Sequence, residues 1–376
     1  MNAIIMAAGT SSRFVPLCWE RPKGLLEVKG EILIERQIKQ LKAAGVEEIA
    51  IVTGYMADQF EYLKDKFGVS LAFNPDYARY NNTSTLMCVL DKLDDTWICS
   101  SDNYFTENVF DEHPVCSQYS AEYADGKTDE YCLICDKDKN IINVTVGGAN
   151  AWYMIGHVFF SKGFSDTFKK ILVEEYKNEE TRQGYWEDVY IKHLKELPLM
   201  KIRKFEPGII NEFDSLEDLR TFDKSYIENT RSNVVKQICR KLCCKQDDIY
   251  DIRKYKDLKH AFLFRFKNKK YVFKSTNLAD YFEITEEHVK GQNEFIQRII
   301  ERLKAAYQHF ENPFEVVGTD IDSSLTDIDS FDNEDVKKAV NYYGYDYIPK
   351  GNNSNKWIFS KKPGSTWPTI DYLKFN

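Results

Sequence analysis

"MAAGTSSRFVPLCWERPKG", residues 6–24, completes an apolar run that begins at Asn2 and continues into a polar loop. The small residues of "AAGTSS" would let backbone N–H groups come close to an anion, as a phosphate-binding loop requires. Two cations in this loop, Arg13 and Lys23, lie ten positions apart. A guanidinium can hold phosphate oxygens in a bidentate manner, and a lysine acts as a point charge. The stretch therefore predicts a site for a phosphorylated ligand after the first strand.

The first hundred residues alternate between apolar runs and amphipathic segments. Continuous apolar runs predict buried strands at residues 2–8, 48–55, 70–75 and 97–105. Helical spacing of apolar residues predicts helices at residues 31–45, 57–67 and 83–93. This alternation predicts an α/β fold with a Rossmann-like, mainly parallel mixed sheet that helices flank. Ligands of such sheets bind beyond the carboxyl ends of the strands, where residues 9–25 and 101–104 would lie.

Two common nucleotide-binding patterns are absent from the opening loop. No glycine follows Gly9 until Gly24, which excludes the dinucleotide fingerprint G-x-G-x-x-G. Phe14 stands where the P-loop pattern G-x-x-x-x-G-K-[ST] needs its second glycine. The loop must therefore bind phosphates in another way.

The loop resembles the signature of nucleotidyltransferases with a glycosyltransferase-A-like fold, A-A-G-x-G-x-R followed by P-K. It reads Ala7-Ala8-Gly9-Thr10-Ser11-Ser12-Arg13 and then Pro22-Lys23, with Ser11 in place of the second glycine. Within this superfamily the chain is most similar to the bacterial CTP:phosphocholine cytidylyltransferases. Five segments in the family's order carry that resemblance: "AGTSSRF", "RPKGLLEVKGEILIERQIKQLKAAGV", "IVTGYMADQFEYL", "NPDYARYNNTSTL" and "SDNYF". It is dense over residues 1–105 and persists to about residue 225.

The resemblance implies transfer of a nucleoside phosphoryl group from a triphosphate to a phosphorylated acceptor. Arg13 would grip the β/γ end of the triphosphate, and Lys23 would bridge the α-phosphate and the attacking phosphate. Positioning and positive charge do most of the work in such reactions. The family pattern implies that Mg²⁺ would bind Asp102 in "SSDNYF" and Asp214 in "NEFDSLEDL". Taken alone, Asp214 is equally a candidate helix N-cap.

The resemblance also implies where the two substrates bind. The nucleotide, CTP, would contact Ala7, Ala8, Gly9, Thr10, Ser11, Asn82 and Ser84. The acceptor would contact a group of aromatic and acidic residues, Trp152, Tyr185, Trp186, Glu187 and Asp188. Aromatic faces assisted by carboxylates suit a quaternary ammonium and so favour phosphocholine, although the same rings could equally be core. A primary amine would also fit, which leaves phosphoethanolamine, 2-aminoethylphosphonate and an amino-acid phosphate as candidate acceptors.

A change in sequence texture predicts a domain boundary near residue 228. Residues 1–228 would form the nucleotidyltransferase domain, and residues 229–376 a smaller accessory α+β domain. The segment "HAFLFRFKNKKYVFKS" and the helical pattern after it resemble the N-terminal lobe of choline-kinase-like phosphotransferases, with Lys274 and Glu294 as its ion pair. No kinase catalytic loop follows, so we expect no kinase activity. The acidic stretch 320–335 lacks the EF-hand glycine and glutamate and predicts a solvated loop.

Composition limits the remaining functional classes. A net charge of -8 over 376 residues argues against nucleic acid as a partner, because phosphate-backbone binding needs a basic face. The sequence has no signal-peptide pattern or membrane-spanning apolar run, and its nine cysteines suggest reduced thiols, so we expect a cytoplasmic protein. The alternatives are a sugar-1-phosphate nucleotidyltransferase and a nucleotide-binding regulatory protein with a degenerate site. The oligomeric state stays open.

Overall fold

The computed structural model describes residues 1–255, 261–277, 280–285, 316–317, 324–325, 345–349 and 357–361. The chain divides into two compact units, Met1–Asp247 and Asp248–Asn376. The change in sequence texture predicts a boundary near residue 228, which lies inside the first unit. The first unit continues further because Ser232 and Asn233, which begin a helix, both donate hydrogen bonds to the carboxylate of Glu20.

The first unit is built on a seven-stranded sheet. Its strands, together with those of two short ribbons, are β1 Asn2–Ala7, β2 Glu27–Val28, β3 Glu31–Ile32, β4 Glu48–Thr53, β5 Ser70–Phe73, β6 Thr96–Ser100, β7 Asn103–Phe105, β8 Gln118–Cys135, β9 Ile141–Phe160, β10 Lys201–Lys204 and β11 Ile210–Glu212. The order in the large sheet is β10-β8-β9-β6-β1-β4-β5. Strands β4, β1 and β6 are parallel neighbours, as are β4 and β5, whereas β9 runs antiparallel to both β6 and β8.

The helices of this unit are α1 Leu33–Ala43, α2 Tyr62–Phe67, α3 Asn82–Met87, α4 Lys162–Glu175, α5 Glu179–Gln183, α6 Trp186–Lys192, α7 Leu216–Phe222, α8 Ser225–Glu228 and α9 Asn233–Leu242. Five of them pack against the two faces of the sheet, α1 and α2 on one face and α3, α4 and α6 on the other. Successive residues of a strand point to opposite faces. Ile5 of β1 therefore packs in one core with α1 and α2, while Ile4 packs in the other core with α3, α4 and α6. This arrangement confirms the predicted fold class.

Two predicted elements are each divided in the structure. The helix expected at 57–67 begins as a 3-10 turn, Ala57–Phe60, and becomes α-helical only in α2. The strand expected at 97–105 is interrupted, so that β6 ends at Ser100 and β7 begins at Asn103. Because β7 pairs with β11 outside the large sheet, the chain turns at Ser101 and Asp102 on the sheet's carboxyl edge.

The second unit contains an antiparallel sheet in the order β12-β13-β14-β15. Its strands, with two shorter pairs that follow, are β12 Tyr250–Lys254, β13 Ala261–Phe266, β14 Lys269–Asn277, β15 Asp280–Thr285, β16 Val316–Val317, β17 Ser324–Leu325, β18 Tyr345–Pro349 and β19 Trp357–Lys361. The predicted hairpin forms between β13 and β14, and its turn residues Lys267 and Asn268 have positive φ angles. Glu294 and most of the acidic stretch 320–335 lie outside the described residues. Among the helices that are described, none is long and apolar enough to cross a membrane.

Candidate active site

The opening loop leaves β1 at the carboxyl edge and is held down by its own apolar residues. Phe14 and Leu17 are buried, and the Phe14 amide donates a hydrogen bond to the carbonyl of Ser11. Ser11 adopts a φ of 49°, in the left-handed region that favours glycine. The signature that the loop resembles has glycine at this position, and Ser11 here adopts a backbone conformation that glycine favours.

A cavity of about 430 Å³ opens beside this loop. Its lining includes most residues expected to contact the nucleotide, namely Ala7, Ala8, Gly9, Thr10, Ser11 and Asn82, together with Lys23 and Asp102. Ser84 does not belong to this lining. Its buried hydroxyl donates to the Asn81 carbonyl and accepts from Asn74, an arrangement that steadies the start of α3.

Lys23 forms the centre of the charged cluster between the strands. Its Nζ lies 2.8 Å from Asp102 Oδ2 and 3.9 Å from Asp214 Oδ1, and its side chain is only 7% exposed. Burial lowers the pKa of Lys23, but the carboxylate of Asp102 and its acidic neighbours outweigh this effect and raise the pKa above its ordinary value. The lysine therefore stays charged at the junction of the two acidic segments.

Arg13 reaches the same cluster from the opening loop. Its Nη2 lies 2.9 Å from Asp214 Oδ1, and both side chains are largely open to solvent. An exposed ion pair contributes little to stability and can exchange partners at small cost. The contact with Asp214 therefore adds little to the stability of the loop.

The two predicted metal ligands come together through strand pairing. Asp102 follows β6, and the antiparallel pairing of Asn103 with Glu212 brings Asp214 to the same end of the ribbon. The cap of helix α7 is Ser215, whose hydroxyl accepts from the Asp218 amide while the Asp218 carboxylate accepts from the Ser215 amide. This cap answers the alternative left open by the sequence, because Asp214 is not the residue that caps the helix.

The donor set at this point suits a hard cation. Asp102 Oδ1 is buried and has no hydrogen-bond partner among the described residues. Magnesium prefers oxygen ligands and usually takes only one or two carboxylates, with water and substrate phosphates completing its shell. In the described parts of the chain no group of three or more acidic, histidine or cysteine side chains is placed to hold a metal. Two carboxylates with one unsatisfied oxygen fit a metal that arrives with a nucleotide.

A second cavity of about 670 Å³ adjoins the first. The two share Met6, Asn82 and Ser100 in their linings. Acidic and tyrosine side chains dominate the lining of this larger cavity: Glu122, Glu130, Glu187, Glu212, Asp214, Asp218, Tyr119, Tyr131, Tyr153 and Tyr185. Such walls favour a ligand that carries positive charge.

Glu187 lies where the larger cavity meets Asn82. It accepts a hydrogen bond of 3.1 Å from Asn82 Nδ2, and the Tyr119 hydroxyl lies 3.5 Å from its other oxygen. Burial raises the pKa of Glu187 to about 7 and the charge of Asp188 adds to this effect, while the hydrogen bond from Asn82 opposes it. A cation in the cavity would favour the ionised form of Glu187.

The other expected acceptor residues have different surroundings. Tyr185 is about half exposed at the cavity rim, whereas Trp186 is 1% exposed and packs against Tyr119, Phe160 and Phe168. Two of the expected acceptor residues, Trp152 and Asp188, lie outside the lining of the larger cavity. The Trp152 ring contacts Tyr123 and lies 4.4 Å from the ammonium of Lys204, and Asp188 accepts a hydrogen bond from the Tyr131 hydroxyl while it caps α6.

Glu212 was absent from the sequence expectations. It lines the larger cavity together with Asp214, which follows two residues after β11 ends at Glu212. Partial desolvation and the charge of Asp102 raise the pKa of Glu212 above its ordinary value, whereas Lys23 opposes this effect. The alternation in "NEFD" could have identified it. Tyr119 and Glu122 gave no such signal, because only the long pairing of β8 with β9 brings them to the cavity.

The small-residue loop after β1 and the buried Lys23 between two carboxylates lie at the carboxyl edge of a mainly parallel sheet, which is the arrangement expected of a nucleotidyltransferase. The comparisons with known proteins agree. Residues 3–109 match the family described as the MobA-like NTP transferase domain. A choline-phosphate cytidylyltransferase of Streptococcus pneumoniae is 33% identical over 60% of this chain and 97% of its own length. A 2-aminoethylphosphonate cytidylyltransferase of Lancefieldella rimae is 35% identical over 61% of this chain and 95% of its own length.

Solved structures lead to the same family. A CTP:phosphocholine cytidylyltransferase from Streptococcus pneumoniae superposes with a TM-score of 0.58 and 32% identity, covering 60% of this chain and 98% of that chain. The chain belongs to the family of CTP:phosphocholine cytidylyltransferase-like nucleotidyltransferases.

Proposed function

We propose that this protein is a magnesium-dependent cytidylyltransferase that joins CTP to a small amino-phosphate or amino-phosphonate, with phosphocholine and 2-aminoethylphosphonate as the leading acceptors. The observation that carries the proposal is the pair of adjoining cavities with Lys23 and Asp102 in one and an acidic, tyrosine-rich wall in the other. Both acceptor types combine an anionic end with a cationic end, and only such a molecule would complement lysine and arginine at one end and Glu187 at the other.

The reaction requires one new bond and one broken bond. An oxygen of the acceptor phosphate or phosphonate attacks the α-phosphorus of CTP, and the bond from that phosphorus to the bridging oxygen breaks. Its electron pair leaves with pyrophosphate. No protein base is needed, because a phosphomonoester is already largely dianionic at neutral pH.

Lys23 and Arg13 supply the positive charge for this step. Lys23 would contact the α-phosphate and the attacking oxygen, since it lines the smaller cavity and lies between Asp102 and Asp214, the second of which lines the larger cavity. Arg13 would leave Asp214 and hold the departing pyrophosphate. Asp102 and Asp214 would hold Mg²⁺, which supplies charge neutralisation on the phosphate oxygens when bound. Preorganised charge of this kind accounts for most of the rate in phosphoryl transfer.

The acceptor's amino group would bind in the larger cavity. Glu187 is the carboxylate best placed to meet it, because Asn82 orients its oxygens and the walls around it are tyrosine rings. Tyr185 would offer a face to the cation at the rim, and Trp186 would support the wall from the core. Asp188 and Trp152 would act indirectly, the first through Tyr131 and the second through Lys204.

A panel of acceptors and nucleotides tests the proposal. Pyrophosphate release would be measured with CTP against phosphocholine, phosphoethanolamine, 2-aminoethylphosphonate and sugar 1-phosphates, and then with UTP and dTTP. We expect CTP and one amino-phosphate or amino-phosphonate to give turnover, with the product mass verified by mass spectrometry. Turnover only with a sugar 1-phosphate, or tight CTP binding without turnover on any acceptor, would reject the proposal.

A further inference from the structure

Glu20 lies in the opening loop, three positions before Lys23, and its carboxylate is committed to helix α9. One carboxylate oxygen accepts a hydrogen bond of 2.5 Å from Ser232 Oγ, and the other accepts one of 2.8 Å from the Asn233 amide. The Val234 amide lies 3.4 Å from the first oxygen. A carboxylate at a helix N-terminus satisfies amides that have no partner within the helix and interacts favourably with the helix dipole.

A second set of contacts fastens the same part of the chain a few residues further on. The carbonyl of Glu27 accepts hydrogen bonds from Arg231 Nη1 and from the Tyr226 hydroxyl. Arg231 also lies over the Tyr226 ring, at 4.5 Å from its centroid. Residues before and after Lys23 are thus attached to the start of α9 and to the segment that precedes it, respectively.

The α9 side of this contact is rigid enough to act as an anchor. Ser232 and Val235 are fully buried, and the Ser232 hydroxyl also accepts from the Val235 amide as the cap of the helix. The opening loop, which carries Glu20, is rigid as well. The turns Leu17–Trp19 and Lys23–Leu25 are closed by their own backbone hydrogen bonds, and Glu20 lies between them. Only Arg21 and Pro22 separate Glu20 from the second turn, so a displacement of Glu20 would be passed along the chain to Lys23.

We infer that Glu20 and α9 form a positioning clamp for Lys23. Residues just after the expected domain boundary at 228 are then part of the catalytic unit, and the carboxylate of Glu20 transmits their position to the lysine. The inference rests on the proposed role of Lys23 in catalysis. It adds Glu20 as a residue that positions Lys23, although Glu20 lines neither cavity. Misplacement of a reacting group by about 1 Å costs up to about 100-fold in rate, so a clamp of this kind affects turnover directly.

The first experiment replaces Glu20 by glutamine in the full chain. Glu20→Gln keeps the shape of the side chain but loses the charge and one acceptor. We expect kcat to fall about tenfold, with the KM for the acceptor unchanged within a factor of two, because the larger cavity is built from other segments. Hydrogen exchange should become faster at the amides of residues 17–26. Glu174→Gln, which removes an exposed carboxylate paired with Lys177, is the matched control and should change neither readout.

The second experiment approaches the clamp from the helix. Aspartate and asparagine are both good N-caps, so Ser232→Asp and Ser232→Asn each preserve the cap. Only the aspartate would repel Glu20. We expect Ser232→Asp to reproduce the fall in kcat and the faster exchange at residues 17–26, and Ser232→Asn to leave kcat within a factor of three of wild type. Equal kcat values for the two variants would overturn the clamp.

The two readouts separate this inference from the proposed function. If the wild-type protein turns over none of the acceptors, the proposed function fails, and exchange at residues 17–26 in Glu20→Gln still decides whether Glu20 holds the loop. If the wild type is active and Glu20→Gln has normal kcat, the clamp is wrong while the proposed function stands. Faster exchange confined to α9, with residues 17–26 unchanged, would also contradict the clamp.

Discussion

Lys23 Nζ lies 2.8 Å from Asp102 Oδ2, and this ion pair joins the loop after β1 to the turn after β6. The two strands are parallel neighbours in the sheet, so the pair spans its carboxyl edge at the place where the nucleotide cavity opens. Lys23 is nearly buried and Asp102 largely so. Because these two side chains are shielded from solvent, the sum of the charges around them decides which ligand can bind, more than the strength of the single Lys23–Asp102 contact.

Replacing Lys23 tests its assignment to the chemical step. Lys23→Gln should lower kcat by about 100- to 1,000-fold, because a charge that contacts the transition state is lost. It also leaves Asp102 and Glu212 without their compensating cation, so we expect the pKa of Glu212 to rise further. Steady-state kinetics and far-UV circular dichroism would check both activity and fold. A variant that keeps native kcat would show that Lys23 is a structural ion-pair partner.

Gly24 tests how closely the two sides of this ion pair must approach. A Cβ at Gly24 would lie 2.9 Å from Ser101 Cβ and 3.1 Å from the Ser101 carbonyl oxygen. Backbone would have to move, so Gly24→Ala should destabilise the protein by about 1–3 kcal/mol and separate Lys23 from Asp102. Thermal melts and kcat would measure the two effects. Gly163→Ala is the control, because a Cβ there meets nothing within 4 Å and alanine favours the helix.

The parallel core and the opening loop were predictable because both depend on short-range pattern. Continuous apolar runs such as that of β1 mark strands buried on both faces, and helical spacing marks α1. The loop could be interpreted because Arg13 and Lys23 follow small residues at a strand end. Even the departure at Ser11 proved compatible, since serine there takes a left-handed backbone conformation.

The acceptor cavity was less predictable because long-range pairing builds it. The segment from Glu122 to Glu130 contains five charged residues and Gly126, which are poor strand formers, yet it belongs to β8. Pairing with β9 overrides that preference and brings Tyr119, Glu122 and Tyr153 to one wall. Trp152 is the reverse case, because the sequence predicts it at the acceptor site but it is not part of the cavity lining. Its ring lies against the ammonium of Lys204.

Removal of divalent metal tests the two carboxylates at the strand ends. We expect chelation by EDTA to abolish turnover and Mg²⁺ to restore it, since neither Lys23 nor Arg13 replaces a divalent ion on the triphosphate. Asp102→Asn should raise the Mg²⁺ concentration needed for half-maximal rate, because the unsatisfied Oδ1 of Asp102 is the oxygen available to the ion. Binding of Mn²⁺ and CTP, followed by electron paramagnetic resonance, gives a readout without turnover. Unchanged Mn²⁺ affinity in this variant would exclude Asp102 as a ligand.

Glu187 links acceptor binding to pH. Its pKa is raised to about 7, so the carboxylate is protonated as the pH falls from 8 to 6 and loses its attraction for an ammonium group. We expect the acceptor KM of the wild type to rise over that range, while the KM for CTP stays nearly constant. Glu187→Gln should have a high acceptor KM at every pH and lack this pH dependence. Initial-rate kinetics from pH 6 to 8 would check it, and a parallel pH profile in the variant would exclude Glu187.

Glu187→Gln should also unfold at a higher temperature than the wild type at high pH. A carboxyl whose pKa is higher in the folded state than in the unfolded state favours folding at low pH, and this contribution is lost as the pH rises from the unfolded value to about 7. Above pH 7 the folded protein therefore bears the cost of an ionised, poorly solvated Glu187, which glutamine removes. We expect Glu187→Gln to raise Tm at pH 8 by on the order of 2 °C and to change it much less at pH 4.5. Scanning calorimetry at the two pH values measures the difference, and Glu174→Gln, which alters an exposed carboxylate, should show no gain at pH 8. Greater stability together with weaker acceptor binding would mean that Glu187 is retained for recognition at a cost to the fold.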